Sequence, residues 1–172
     1  MEGIRLNLGS GRAKLEGYIN IDNREEMEPD IVCSITSLPF DDNSVDYIRA
    51  YDVLEHIPAG KDAVKAIEEI YRVLVPGGIF ESSTPDCEFG MAAFQDPFHI
   101  SFWCENTWKY FSDPISRELY GIKAFFRYDL LERAPPFHPG NRMYWLHVIA
   151  AAIKETEITE EEAEKIIEGE GD

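Results

Sequence analysis

Basic residues, cysteines and long apolar runs are all scarce in this chain of 172 residues. Sixteen Lys and Arg stand against thirty-three Asp and Glu, leaving a net charge of −17. A chain so short of positive charge has no footing on a polyanion, so neither nucleic acid nor an anionic membrane surface is an expected partner. The acidic excess is steepest at residues 155–172, which hold nine acids against Lys165, but the remainder is acidic as well. Three cysteines, Cys33, Cys87 and Cys104, are an odd number without close pairs, which suits a reducing cytoplasm better than a disulfide scaffold. The longest mostly apolar run, Met143 to Ile153, is broken by His147, and the start of the sequence has no basic segment leading into an apolar one. A cytoplasmic protein with neither signal peptide nor membrane span is expected.

Several chemical signatures are missing too. There is no Gly-x-x-x-x-Gly-Lys loop for nucleotide hydrolysis, no His-Glu-x-x-His or Cys-x-x-Cys for zinc, and no Gly-x-Ser-x-Gly for a serine hydrolase. A nicotinamide fingerprint would need a third glycine where Lys14 stands, and a longer interval before its ribose acid.

What is present is the alternation of an α/β domain with a largely parallel sheet. Strands are predicted at Ile4 to Leu8, Gly17 to Ile21, Asp30 to Cys33, Val45 to Ala50 and Gly78 to Ser83. Ala63, Val64, Ile67, Ile70, Tyr71 and Leu74 recur three or four residues apart, which predicts a helix from Gly60 to Leu74. Pro76-Gly77-Gly78 would stop it. Further on, Asp96-Pro97 and Asp113-Pro114 read as turns, Glu105 to Phe111 as a short helix, and Ala134 to Asn141 as a loop. Lys123 to Leu131 and Tyr144 to Ile153 read as strands, the second also fitting a helix. Residues 1–154 form one domain in this reading, and 155–172 an acidic helix or tail opened by the capping box Thr159 to Glu162.

Leu6-Asn7-Leu8-Gly9-Ser10-Gly11 is an apolar strand running into a glycine turn, where a ligand can approach the backbone. Such a turn also serves ordinary tight corners. Asp22, ending the next predicted strand, could accept from both hydroxyls of a ribose, or merely open a turn with Asn23. His56 and His99 are candidate bases, since imidazole titrates near neutrality, with Asp86 as a third polar group on the same sheet edge. Glu55 either orients His56 or begins a helix. Phe98, Phe102, Trp103, Trp108, Tyr110 and Phe111 could line an acceptor pocket or belong to the core. His138 and His147 read as non-catalytic.

Five segments carry a resemblance by their order: the glycine turn, Gly17-Tyr18-Ile19-Asn20-Ile21-Asp22, Leu38-Pro39-Phe40-Asp41-Asp42-Asn43-Ser44-Val45-Asp46, Leu54-Glu55-His56-Ile57, and Tyr71-Arg72-Val73-Leu74-Val75-Pro76-Gly77-Gly78. Together they resemble the class I S-adenosylmethionine-dependent methyltransferases of the small, type 11-like methyltransferase-domain kind. The resemblance spans roughly residues 4–111, and Asp96-Pro97-Phe98-His99 and Thr107-Trp108-Lys109-Tyr110-Phe111 extend it past the fifth strand. It implies a Rossmann-like, doubly wound, mostly parallel seven-stranded sheet with helices on both faces and the last strand antiparallel. It also implies S-adenosylmethionine as cofactor and no metal. Gly9, Ser10 and Gly11, with Asn7 beneath them, would receive its methionine portion, and Asp22 its ribose. Ile35 and Leu38 would flank the adenine near Ser34, which stands where relatives often carry an aspartate, and Tyr51 and Asp52 would lie beside the methionine. Only Arg12 to Glu16 separate the glycine turn from the second strand, so the first helix is expected to be truncated or missing. The expected activity is methyl transfer to oxygen or nitrogen of a small molecule or sugar, with a homodimer as the candidate assembly and the oligomeric state left open. A non-catalytic binding or assembly module on the same fold is the alternative, and a nucleotide-sugar or nicotinamide enzyme a third reading.

Overall fold

A computed structural model describes residues 3–134 and 143–154. Seven strands form one sheet: β1 (Arg5–Leu8), β2 (Ile19–Asp22), β3 (Ile31–Val32), β4 (Val45–Tyr51), β5 (Leu74–Gly90), β6 (Phe126–Ala134) and β7 (Met143–Ala152). Their order is β3-β2-β1-β4-β5-β7-β6, with β7 antiparallel to both neighbours and the other pairs parallel. This is the expected Rossmann-like sheet. The segment Tyr144 to Ile153, which also fitted a helix, is a strand because β5 and β6 pair with it on both sides.

Helix α1 (Lys61–Val73) buries Ala63, Ala66, Ile67, Ile70 and Val73; of the predicted stripe Ala63, Ile67 and Ile70 are buried, Val64 and Tyr71 half-buried, and Leu74 already belongs to β5. It ends before Pro76-Gly77-Gly78, which falls inside β5 and interrupts its pairing with β4 between Leu74 and Ile79. Three shorter helices follow: α2 (Ala92–Gln95), α3 (Glu105–Lys109) and α4 (Pro114–Tyr120). Asp113-Pro114, read as a turn, instead opens α4. Asp113 caps it by accepting from Ser116 N–H, with proline in the first turn, where a missing donor costs nothing. The capping box at Thr159, the acidic tail, His138 and most of the loop from Ala134 lie outside the described residues.

Two of the segments that carry the resemblance meet at Arg72. Its guanidinium donates to the carbonyls of Leu38 (3.1 Å) and Phe40 (2.9 Å) and pairs with Asp42 (2.6 Å), while Glu69 accepts from both Arg72 and Leu38 N–H. The 38–44 loop is thereby fastened to the end of α1.

The two faces of the sheet differ. Leu6, Leu8, Ile21, Ile48, Phe80, Val148, Ala150 and Phe126 are buried and share one face by register, and Phe80 touches Trp108 of α3 while Phe126 touches Tyr71 of α1. The other face, at β1, β4 and β5, carries Arg5, Asn7, Tyr47, Arg49, Tyr51 and Glu81. These satisfy one another: both tyrosines donate to Glu81, Arg5 lies over Tyr18 and Tyr47, and Arg49 lies over Tyr51 at 3.6 Å. The resemblance implied helices on both faces; among the described residues, the second face at β1, β4 and β5 carries this polar and aromatic network.

The missing first helix has a specific replacement. Asn7 and Asn20 are cross-strand partners, and Asn7 Nδ2 donates to Asn20 Oδ1 at 2.9 Å and to the Ala13 carbonyl at 3.0 Å. Asn20 Oδ1 also accepts from Leu15 N–H (2.8 Å), and its amide donates to the Leu15 and Tyr18 carbonyls and to Asp30. Two buried amides therefore do for residues 9–18 what helical hydrogen bonds would otherwise do. Asn20→Ala leaves the Leu15 N–H and the Asn7 amide without this partner, and each buried orphan costs about 1–3 kcal/mol. We expect a loss of at least about 2 kcal/mol in urea unfolding; a loss near zero would show that the loop holds itself.

Candidate cofactor site

The carboxyl ends of β1 and β2 bring the glycine turn and Asp22 together. Gly9 and Gly11 sit at φ +62° and +48°, a region that side chains with a Cβ rarely enter. At Gly9 there is a second constraint, since an added Cβ would lie 2.3 Å from Val53 Cγ2. Ser10 N–H donates to the Ile21 carbonyl at 2.9 Å, and Gly11 N–H donates to Asp22 Oδ2 at 2.8 Å, so the turn is tied to β2. Asn7, beneath it, directs its amide into the loop as described.

Asp22 is buried, and Arg24 closes on it. Arg24 Nε donates to Oδ1 at 3.0 Å, Nη2 to Oδ2 at 3.3 Å, and Arg24 N–H to Oδ1 at 3.0 Å. Burial alone would raise the acid, but the bonds from the Arg24 side chain, Gly11 and the Arg24 backbone outweigh it and hold Asp22 below the usual carboxylate range. The Arg24 side chain is 52% exposed, so it is free to leave. Sequence reading passed over it, although a cation two residues after a strand-end acid is a visible signal.

A cleft of about 930 Å³ opens here, lined by Gly9, Asp22 and Arg24 on one side, Ser34 and Ile35 on a second, and Asp52, His56 and Phe98 on a third. Ser34 is exposed and bonded to Thr36 Oγ1. Leu38 is buried in the core and Tyr51 bonds to Glu81, so neither lines the cleft. Asp52, at φ +49°, accepts from Trp145 Nε1. Asp86 is also apart from it, fully buried, paired with Arg133 and capping Glu88 N–H. Of the aromatic segment, Trp103, Trp108 and Phe111 are core, and Phe102 and Tyr110 border a separate apolar groove of about 810 Å³.

His56 and His99 come together, their ring centroids 5.0 Å apart. Each Nδ1 faces a carbonyl, of Phe98 at 3.2 Å and of Ala93 at 3.0 Å, which assigns the proton to Nδ1 and leaves Nε2 as the acceptor. Beneath them lies Glu55, 2% exposed, with neither carboxylate oxygen hydrogen-bonded among the described residues. Burial, joined by the nearby carboxylates of Asp52 and Asp96, pushes its pKa up to about 8.

Residues 15–81 match the family model of a methyltransferase domain. Over 140 residues the chain is 28% identical to a demethylmenaquinone methyltransferase of Bacillus pumilus, covering 78% of this chain and 50% of that protein. A protein of the same name from Staphylococcus epidermidis is 44% identical over 52 residues, 28% of this chain and 20% of that one. A solved S-adenosylmethionine-dependent methyltransferase from Methanosarcina mazei superposes with a TM-score of 0.66 at 18% identity, covering 90% of this chain and 95% of that one. Residues 15–81 are thus similar to a methyltransferase domain, and the chain shares the fold of a solved S-adenosylmethionine-dependent methyltransferase. It spans half or less of the length of these curated relatives.

The cofactor of that family is S-adenosylmethionine, and the residues here fit it. Gly9 and Gly11 leave two of the turn's three positions without side chains, Ser10 Oγ is buried without a hydrogen-bond partner among the described residues, and an acid held below the usual carboxylate range stands at the adjoining strand end. The turn itself can be tested. At Gly17, also at positive φ (+78°), an added Cβ meets nothing within 4 Å. Gly17→Ala should therefore cost only the left-handed penalty of about 1–2 kcal/mol. Gly9→Ala should cost clearly more, because Val53 must also move; equal losses in denaturant unfolding would contradict this packing.

Proposed function

We propose that this domain transfers a methyl group from S-adenosylmethionine to oxygen or nitrogen of a small-molecule or sugar acceptor. The observation that carries the reading is the convergence of Gly9, at the start of the glycine turn, with Asp22 and His56 on one cleft. The cofactor supplies a methyl already activated on a sulfonium, so the chain's task is chiefly to place two reactants in line.

In this reading the glycine turn and Ser10 receive the methionine portion, and Asp22 takes the ribose diol once Arg24 has released it. Ile35 and Ser34 flank the base. The imidazole of His56, open to the cleft with Nε2 as its acceptor, takes the proton of a hydroxyl acceptor. His99 and Glu55 stand behind it. The net charge of −17 supports an acceptor that is not a nucleic acid.

One observation favours a second reading, a binding module without catalysis: Gly11 and Arg24 already occupy both oxygens of the Asp22 carboxylate with four hydrogen bonds. Calorimetric titration with S-adenosylhomocysteine separates the two. The methyltransferase reading predicts micromolar binding, about −8 kcal/mol, weakened at least about tenfold, or 1.4 kcal/mol, by Asp22→Ala. Arg24→Ala, which frees the acid, should bind as tightly as wild type or tighter. No binding by the folded wild type and the Arg24→Ala variant would leave the binding module standing.

A further inference from the structure

We infer that Glu55, His56 and His99 form a binding site for a divalent transition-metal ion on the wall of the cofactor cleft. One donor atom from each residue lies within 4.8 Å of the others, and His99 Nε2 is 4.0 Å from Glu55 Oε1. Around a tetrahedral zinc ion, with bonds of about 2.0–2.1 Å, donor atoms are about 3.3 Å apart, so the cluster needs only a modest contraction.

Two features beyond proximity point to a cation. The first is Glu55, whose carboxylate is buried with neither oxygen hydrogen-bonded among the described residues. A buried acid without partners is costly, and no Lys or Arg pairs with Glu55, Asp52 or Asp96 among the described residues. The second is the orientation of the imidazoles. Both give Nδ1–H to backbone carbonyls, which fixes the tautomer with a lone pair on Nε2, the arrangement that second-shell carbonyls impose on metal-binding histidines. Asp96, with Oδ2 3.8 Å from His99 Nε2, stands by as a further oxygen donor.

Two imidazoles and a carboxylate are a donor set for zinc or a similar first-row ion rather than for magnesium or calcium, which prefer oxygen. The three residues leave a coordination position open. Because His56 and Asp96 line the cleft, that position is reached from the side where an acceptor enters. The ion would then bind an acceptor's hydroxyl and lower its pKa, so that its proton passes to water in the cleft and not to His56, which holds the metal. This use of the ion rests on the methyl-transfer reading; the binding itself does not.

The test is calorimetric titration of the full chain, stripped with EDTA and dialysed, with zinc chloride, alongside visible spectroscopy with cobalt(II). Wild type should bind one ion per chain, and cobalt should show tetrahedral d–d bands without a thiolate charge-transfer band. Glu55→Gln, close in shape, and His99→Ala should each weaken binding at least tenfold while unfolding cooperatively, and His147→Ala should not. Absence of uptake, uptake unchanged in both variants, or a thiolate band from Cys33 would overturn the site. S-adenosylhomocysteine titrated in EDTA keeps the two readings apart. Cofactor binding without zinc uptake overturns the metal site alone; zinc uptake without cofactor binding overturns the methyl-transfer reading alone.

Discussion

The amide pair of Asn7 and Asn20 is the contact on which the rest of the site depends. With no helix after β1, residues 9–18 have no ladder of their own, and a loop without one leaves buried backbone groups unpaired. Asn20 bonds Leu15 in both directions and holds Asn7, which in turn holds Ala13. The loop is thereby pinned against β2, and Gly11 N–H arrives at Asp22. The same short loop places no helix between β1 and β2, and the phenols of Tyr47 and Tyr51, both bonded to Glu81, line the sheet face beside it with polar contacts.

The sheet was largely legible from sequence because apolar runs and the α1 stripe have clear periods. Segments whose order is set by non-local pairing were less so. Tyr144 to Ile153 fits either period, and only its two neighbours in the sheet make it a strand. Helix α4 was hidden behind Asp113-Pro114, since an N-cap followed by proline and a turn opened by Asp-Pro look alike over two residues.

The site was legible in its backbone and less so in its side chains. Glycine spacing and a strand-end acid are local signals, so Gly9, Gly11 and Asp22 could be picked out together. Arg24 closing on Asp22 depends on the turn between them, and Asp86 is turned to Arg133, 47 residues away. Glu55, His56 and His99 were each visible as candidate groups, but their meeting in one cluster was not, for the same reason. Its members are split between the segment after β4 and the one after β5, which are joined by Ile100 and Ser101 N–H donating to the Glu55 carbonyl, by Ser101 Oγ donating to the Leu54 carbonyl and by His56 Nδ1 facing the Phe98 carbonyl.

The account's central claim is that Asp22 exchanges Arg24 for a ribose. The most direct measurement is a crystal structure of the chain with S-adenosylhomocysteine. The account predicts both ribose hydroxyls on the Asp22 carboxylate, the Arg24 guanidinium displaced, and the amino-acid portion at Ser10. The nucleoside seated in the apolar groove beside Trp103, with the Asp22 to Arg24 pair intact, would contradict it.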